Sequence, residues 1–287
     1  RFGAGTPGPR EPVVLSGGVG AWHGGRFPVT SFMDAHLLKF LGMLLRWLHV
    51  IAGVAWIGSS FYFIWLDNSL DAPEAGSENA KKGVSGELWA VHGGGFYNPQ
   101  KYAVAPAALP EKLHWFKWEA YTTWLSGTAL LVLVYWLRAQ TMMVDGRVAE
   151  LTAWQAVGIG AGSMVLSWFV YDGLCRSPLG KRDGLLAGVV FVLLSGLTWA
   201  LCHWLGGRAA YIQVGAAIGT IMAANVFFVI IPGQKKMVEA MRAGGLPDPI
   251  YGKRGKQRSV HNNYFTLPVI FIMISNHYAA TYGHAQN

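Results

Sequence analysis

The chain has 287 residues, of which 52% are hydrophobic and only 13% charged, with 13 tryptophans and a net charge of +8. A soluble domain carries roughly 25% charged residues, so this composition argues against an ordinary water-soluble fold. The basic excess falls in short segments between long apolar runs, which reads as membrane topology and not as nucleic-acid binding.

From the N-terminus, residues 1–32 are rich in Gly and Pro and lack the apolar h-region of a signal peptide. The chain begins with Arg1, and Met33 stands where the pattern turns membrane-like. The expectation is an N-terminal extension over 1–32, a natural start at Met33 and a membrane domain over 33–287. Six apolar segments approach the ~20 residues that a span needs: Leu37–Leu66, Trp115–Leu137, Trp154–Leu174, Leu185–Leu205, Tyr211–Ile231 and Asn263–Tyr282. This predicts an all-α, polytopic transmembrane helix bundle with about six spanning helices.

Loop charge orients the bundle. Lys81, Lys82, Lys101, Lys112 and Lys117 lie in or beside the first loop, and Arg176, Lys181 and Arg182 in the third. The fifth holds Lys235, Lys236, Arg242, Lys253, Arg254, Lys256 and Arg258, whereas the second and fourth hold Arg138, Arg147 and Arg208. Loops one, three and five are therefore expected in the cytoplasm, with both ends outside. Gly158-x-x-x-Gly162 and Gly215-x-x-x-Gly219 signal close helix packing.

Some polar residues stand out because polar groups are costly in lipid. Arg46, His49, Gly53, Trp56 and Ser60 share one face of the first helix. The alternative to a functional role is a plain interhelical hydrogen-bond network. The first loop, Asp67 to Lys112, is long and carries His92-Gly93-Gly94-Gly95, whose amides can curl around a ligand. The second helix opens with His114, Trp118 and Glu119, and the last with His261-Asn262-Asn263-Tyr264. His49 with His277, or His203 with His277, are candidate pairs for a bis-imidazole haem b. Cys175 and Cys202 are too far apart for a zinc motif, and no Cys-x-x-Cys-His is present for haem c. No metal site is expected.

The run Leu44-Leu45-Arg46-Trp47-Leu48-His49 through Trp56 to Phe63 resembles the opening helix of the bacterial membrane-bound, cytochrome-linked urate oxidases. Gly86-Glu87-Leu88-Trp89, Leu113-His114-Trp115-Phe116-Lys117-Trp118-Glu119 and His261-Asn262-Asn263-Tyr264 extend the match over about residues 33–287. The resemblance implies a bacterial cytoplasmic-membrane protein that oxidises urate to 5-hydroxyisourate. It also implies a haem c domain following this one, to which the electrons pass, so the chain is expected to be a truncated member.

Urate is a planar monoanion, and binding it calls for a fixed cation, amides, an aromatic wall and a base. Arg46, His49, His92, His114 and Glu119 are the candidate catalytic groups. Trp118, His261, Asn262, Asn263, Tyr264, Gly93 and Gly94 are the candidate substrate contacts. These cannot all line one pocket, because Arg46 and His49 are expected mid-membrane, whereas His92, His114 and His261 are expected at the cytoplasmic side. Two other readings stay open: a haem b electron-transfer or porphyrin-oxidising protein, and a transporter of a small anion or copper.

Overall fold

A computed structural model describes residues 29–283, with side chains described from His36 onward. The expected N-terminal extension lies almost wholly outside these residues. The element order is α1 (Val29–Ser69), α2 (Glu78–Lys81), β1 (Val84–Glu87), β2 (Ala90–His92), β3 (Gly95–Tyr97), β4 (Gln100–Tyr102), α3 (Trp118–Val134), α4 (Ala139–Met142), α5 (Ala153–Arg176), α6 (Asp183–Trp204), α7 (Gly207–Ala224), α8 (Ile231–Arg242), α9 (Pro249–Ser275) and α10 (Ala279–Tyr282).

Five helical stretches among the described residues are long and apolar enough to cross a membrane: 36–69, 118–142, 153–176, 183–204 and 207–242. The sixth expected span is different. α9 takes up both the basic segment Lys253–Arg258 and the apolar segment after Tyr264 in one 27-residue helix. Its start is set by Asp248, which caps Ile250 N, and by Pro249 at the first helical position. The fifth expected span also runs on, through a π-helical turn (Asn225–Ile230) into α8.

α7 is the centre of the bundle. Eleven of its 18 residues are buried, and α3, α5, α6 and α9 all pack on it. Small residues make this possible. A Cβ added at Gly215 would lie 2.9 Å from Met273 Cε on α9. On α5 the close approach is at Gly160, where a Cβ would lie 2.8 Å from Gln213 Oε1; Gly158 and Gly162 face open space. The spacing signal thus found the right helix and missed the packed face by two residues.

The loops sort to two ends. Gln257 Nε2 donates to Gly180 O and Arg242 Nη2 to Glu111 O, so loops one, three and five lie together. Gly206 N donates to Met143 O, joining loops two and four at the other end. This is the alternation that the loop charges predicted. The first loop holds an unexpected feature, two nested antiparallel hairpins: β1 pairs with β4 and β2 with β3. Gly93 and Gly94 make the inner turn, both with positive φ, a conformation that favours glycine.

Candidate active site

The strongest gathering of polar side chains lies where the end of α5 and the π turn after α7 meet the middle of α9. α5 supplies Tyr171, Asp172 and Cys175; the π turn supplies Asn225; α9 supplies Arg258, His261 and Asn262, spaced so that they share a face. A π turn places an extra residue in the helix and often marks a functional position.

Arg258 is 3% exposed, so its charge must be met inside the protein. Its Nη2 donates to Asp172 Oδ1 at 2.7 Å and Nη1 to Asn225 Oδ1 at 3.3 Å. Its guanidinium also lies over the Tyr171 ring, 5.0 Å from the centroid. Asp172 takes a second cation, Arg176 Nε, at 2.6 Å. Asn225 Nδ2 donates to Asn262 Oδ1 at 2.9 Å and to Tyr171 Oη at 3.2 Å, and Asn262 Nδ2 donates to Met222 O at 3.0 Å. Fully connected polar networks of this kind hold their members in one geometry.

The network ends at His261, whose Nδ1 is 2.7 Å from Tyr171 Oη. Tyr171 Oη already accepts from Asn225, so its hydrogen points to Nδ1 and the imidazole hydrogen sits on Nε2. Nε2 has no protein partner among the described residues. Burial holds the His261 imidazole below its usual value, and the nearby Arg258 charge adds to this against a smaller pull from Asp183. His261 is thus neutral near pH 7.

His261 and Tyr171 border a cavity of about 1410 Å³. Lys181, Lys236, Lys253, Arg254 and Lys256 stand on its rim, with Asp183 as the carboxylate among its lining residues. The field in such a cleft favours anions. The rim loop is held tightly: Gly180 approaches Cys175 O so closely that no side chain would fit.

The expected site residues divide. His261, Asn262 and Tyr264 belong here: His261 and Tyr264 line the cavity and Asn262 braces its wall. Asn263 is half-buried beside them but is not among the lining residues. His49 lies elsewhere, against α3. Its Nδ1 is 3.0 Å from Thr123 O and 3.2 Å from Ser126 Oγ. A carbonyl only accepts, so Nδ1 carries the hydrogen. The ring lies against Gly127, where a Cβ would come within 2.8 Å of His49 Cε1. Arg46, one turn away, is exposed.

His92, Gly93 and Gly94 are exposed at the hairpin tip. His114 is exposed and packs edge-on against Phe116. Trp118 is also exposed, with Lys117 over its ring, and Glu119 is half-buried, its backbone carbonyl accepting from Thr123 Oγ1. None of these six, nor His49, is among the residues lining the large cavity.

The histidines considered for haem b are His49, described above, His203 and His277. His203 Nδ1 donates to Trp199 O at 2.8 Å and its ring lies against the indole. His277 is exposed beyond the end of α9. Among the described residues, no group of three or more His, Cys, Asp or Glu is placed to hold a metal ion.

Sequence reasoning missed Tyr171 and Asn225 as site members and read Arg258 as a topology charge. A signal for Asn225 was present: a polar amide inside an otherwise apolar helix.

No curated protein and no solved structure matches the chain. A model of the urate oxidase N-terminal family matches residues 35–287, a range that contains every element of the polar network and its cavity. The chain belongs to the urate oxidase N-terminal family.

Proposed function

We propose that the chain is a membrane-embedded domain that oxidises urate to 5-hydroxyisourate, that its cavity between α5, α7 and α9 binds the urate, and that the electrons leave to a cytochrome c or another respiratory acceptor. Family membership supports urate as the substrate. The five long apolar helices support a membrane setting, the loop charges support an orientation with loops one, three and five in the cytoplasm, and the resemblance implies a bacterial inner membrane.

The observation that carries the reading is the basic cavity with a neutral imidazole in its wall. Urate is an anion near neutral pH and is made inside the cell, on the side where this cavity opens under that orientation. The rim cations raise its local concentration. Nε2–H of His261 donates to the purine edge, and Tyr264 offers an aromatic face.

Oxidation adds a water oxygen to a ring carbon and releases two electrons and two protons. With Nδ1 accepting from Tyr171 and Nε2 carrying the hydrogen, His261 orients the purine, and both released protons pass to water in the cavity. Asn225 and Asn262 do not line the cavity, and the guanidinium of Arg258, which does, is taken up by Asp172 and Asn225; together they hold Tyr171 and α9 in place. A haem c, when present in a further domain, supplies one-electron acceptance.

The test is urate loss in membranes carrying the full chain, with oxidised cytochrome c or a quinone added. His261→Gln is expected to lower turnover roughly 10²-fold or more at unchanged protein level. Normal turnover in this variant would remove the cavity from the reaction. Sustained turnover with oxygen alone, releasing peroxide, would overturn the electron path.

A further inference from the structure

The cavity is larger than a purine needs. Small-ligand pockets are usually ~300–1,000 Å³, and this one continues away from His261 as a groove between α6 and α9. Both helices pack on α7, which forms the floor with Val214 and Ile218. One wall is the α6 stripe from Ala187 through Leu194 to Thr198, and the other runs along α9 to Ile272.

From the basic rim and the adjoining apolar groove we infer that this groove holds one acyl chain of an anionic phospholipid, whose phosphate rests on the rim cations. The inference rests on the membrane setting proposed above but not on urate as substrate. Its first support is length. From Ala187 to Thr198, at ~1.5 Å per residue, the wall is roughly 16 Å long, about half of the ~30 Å hydrocarbon core. That is the depth of one leaflet. A transmembrane helix from a second copy would need the full depth.

The second support is charge. Lys181, Lys253, Arg254 and Lys256 line the rim, and none forms an ion pair among the described residues. Three of them lie in the first turns of α9, at the end of the groove where lipid headgroups of that leaflet would sit. An anionic headgroup neutralises them, and the apolar walls below exclude a free polar anion. The lipid and the purine use different parts of the cavity: the groove with Lys181, Lys253, Arg254 and Lys256 for one, the Tyr171–His261 wall with Lys236 for the other.

The test is native mass spectrometry of the full chain in mild detergent, after exchange against equal phosphatidylglycerol and phosphatidylcholine. One retained phosphatidylglycerol per chain, resisting delipidation, is the expected result. Lys253→Gln with Arg254→Gln, both at exposed positions, is expected to lower retention tenfold or more, since each basic residue near a lipid surface contributes appreciably. Leu194→Trp, which fills the groove, is expected to remove the lipid while the rim stays basic. Circular dichroism and the thermal midpoint confirm that each variant is folded.

Equal retention of the two lipids, or normal retention in the double variant, overturns the inference. So does displacement by millimolar inorganic phosphate, which would make the rim a simple anion site. A stable lipid-free dimer that is lost in Leu194→Trp would show that a second copy fills the groove instead.

Discussion

Two regions of this bundle carry buried polar chemistry, and they are built in opposite ways. Around α7, the residues Tyr171, Asp172, Asn225, Arg258, His261 and Asn262 come from three helices and satisfy one another. Along α1, His49 meets a single neighbour, α3, through one imidazole nitrogen. The helix presents one narrow inward stripe that includes Ala52 and Trp56, while Trp47, Val50 and Val54 are exposed. The first region is a network whose members depend on each other. The second is a seam with one polar pin. Losing a member should therefore cost the network much more than the seam.

The sharpest test of that contrast is Arg258→Met. It leaves Asn225 Oδ1 without its donor and Asp172 with only Arg176. Removing one partner of a buried pair costs about 3–5 kcal/mol, so a large fall in thermal midpoint and in protein level is expected. A near-normal midpoint would show that the network is not cooperative.

At the seam, Gly127→Ala forces a Cβ against His49. Overpacking costs about 1–3 kcal/mol, at the low end here because α1 can shift outward. His49→Phe keeps the ring volume and removes the bond to Thr123 O. If turnover falls in this variant while its stability stays near normal, the α1 histidine has a role in the chemistry beyond holding α1 to α3.

A smaller effect separates the regions by pH. His261 is held below the usual 6.5 in the folded chain, so the unfolded chain binds that proton first. Stability from this group is full above about pH 6.5 and falls as the pH drops below it, until the folded histidine also protonates. The thermal midpoint of the wild type is expected to decline from pH 7 toward 5, and His261→Gln to flatten that decline. An unchanged slope would mean that His261 is not desolvated.

The smallest expected effect is at Trp124, whose Nε1 donates to Thr220 Oγ1 between α3 and α7. Trp124→Phe removes one neutral hydrogen bond, worth about 1 kcal/mol. A loss as large as that of Arg258→Met would erase the distinction drawn above.

The same contrast explains what was legible in the sequence. Long apolar runs gave five of the helices, and loop charges gave the alternation of their ends, because both follow from solvation. His49 drew attention because it stands with Arg46 in an otherwise apolar stretch of helix. Arg258 did not, because it sits among Lys253, Arg254 and Lys256, and only tertiary packing turns one of four neighbouring cations inward. The α9 boundary was missed for a related reason. Its charged and apolar halves have different solvents but form one continuous helix beside α8. The hairpins at Val84–Tyr102 escaped because short strands held by Gly93 and Gly94 lack a long periodic pattern.

The wide turn at Asn225–Ile230 has a geometric consequence. An α-helix turns about 100° per residue, so the extra residue of a π turn changes the phase of everything beyond it. Before the turn, α7 is packed on by four helices; after it, α8 must set Gly233 against Tyr251 while Lys235 is exposed. The turn lets one continuous rod obey two different angular registers. Deleting a single residue between Val226 and Ile230 would make the helix regular, and it could then keep Asn225 in its network or Gly233 against α9, but not both.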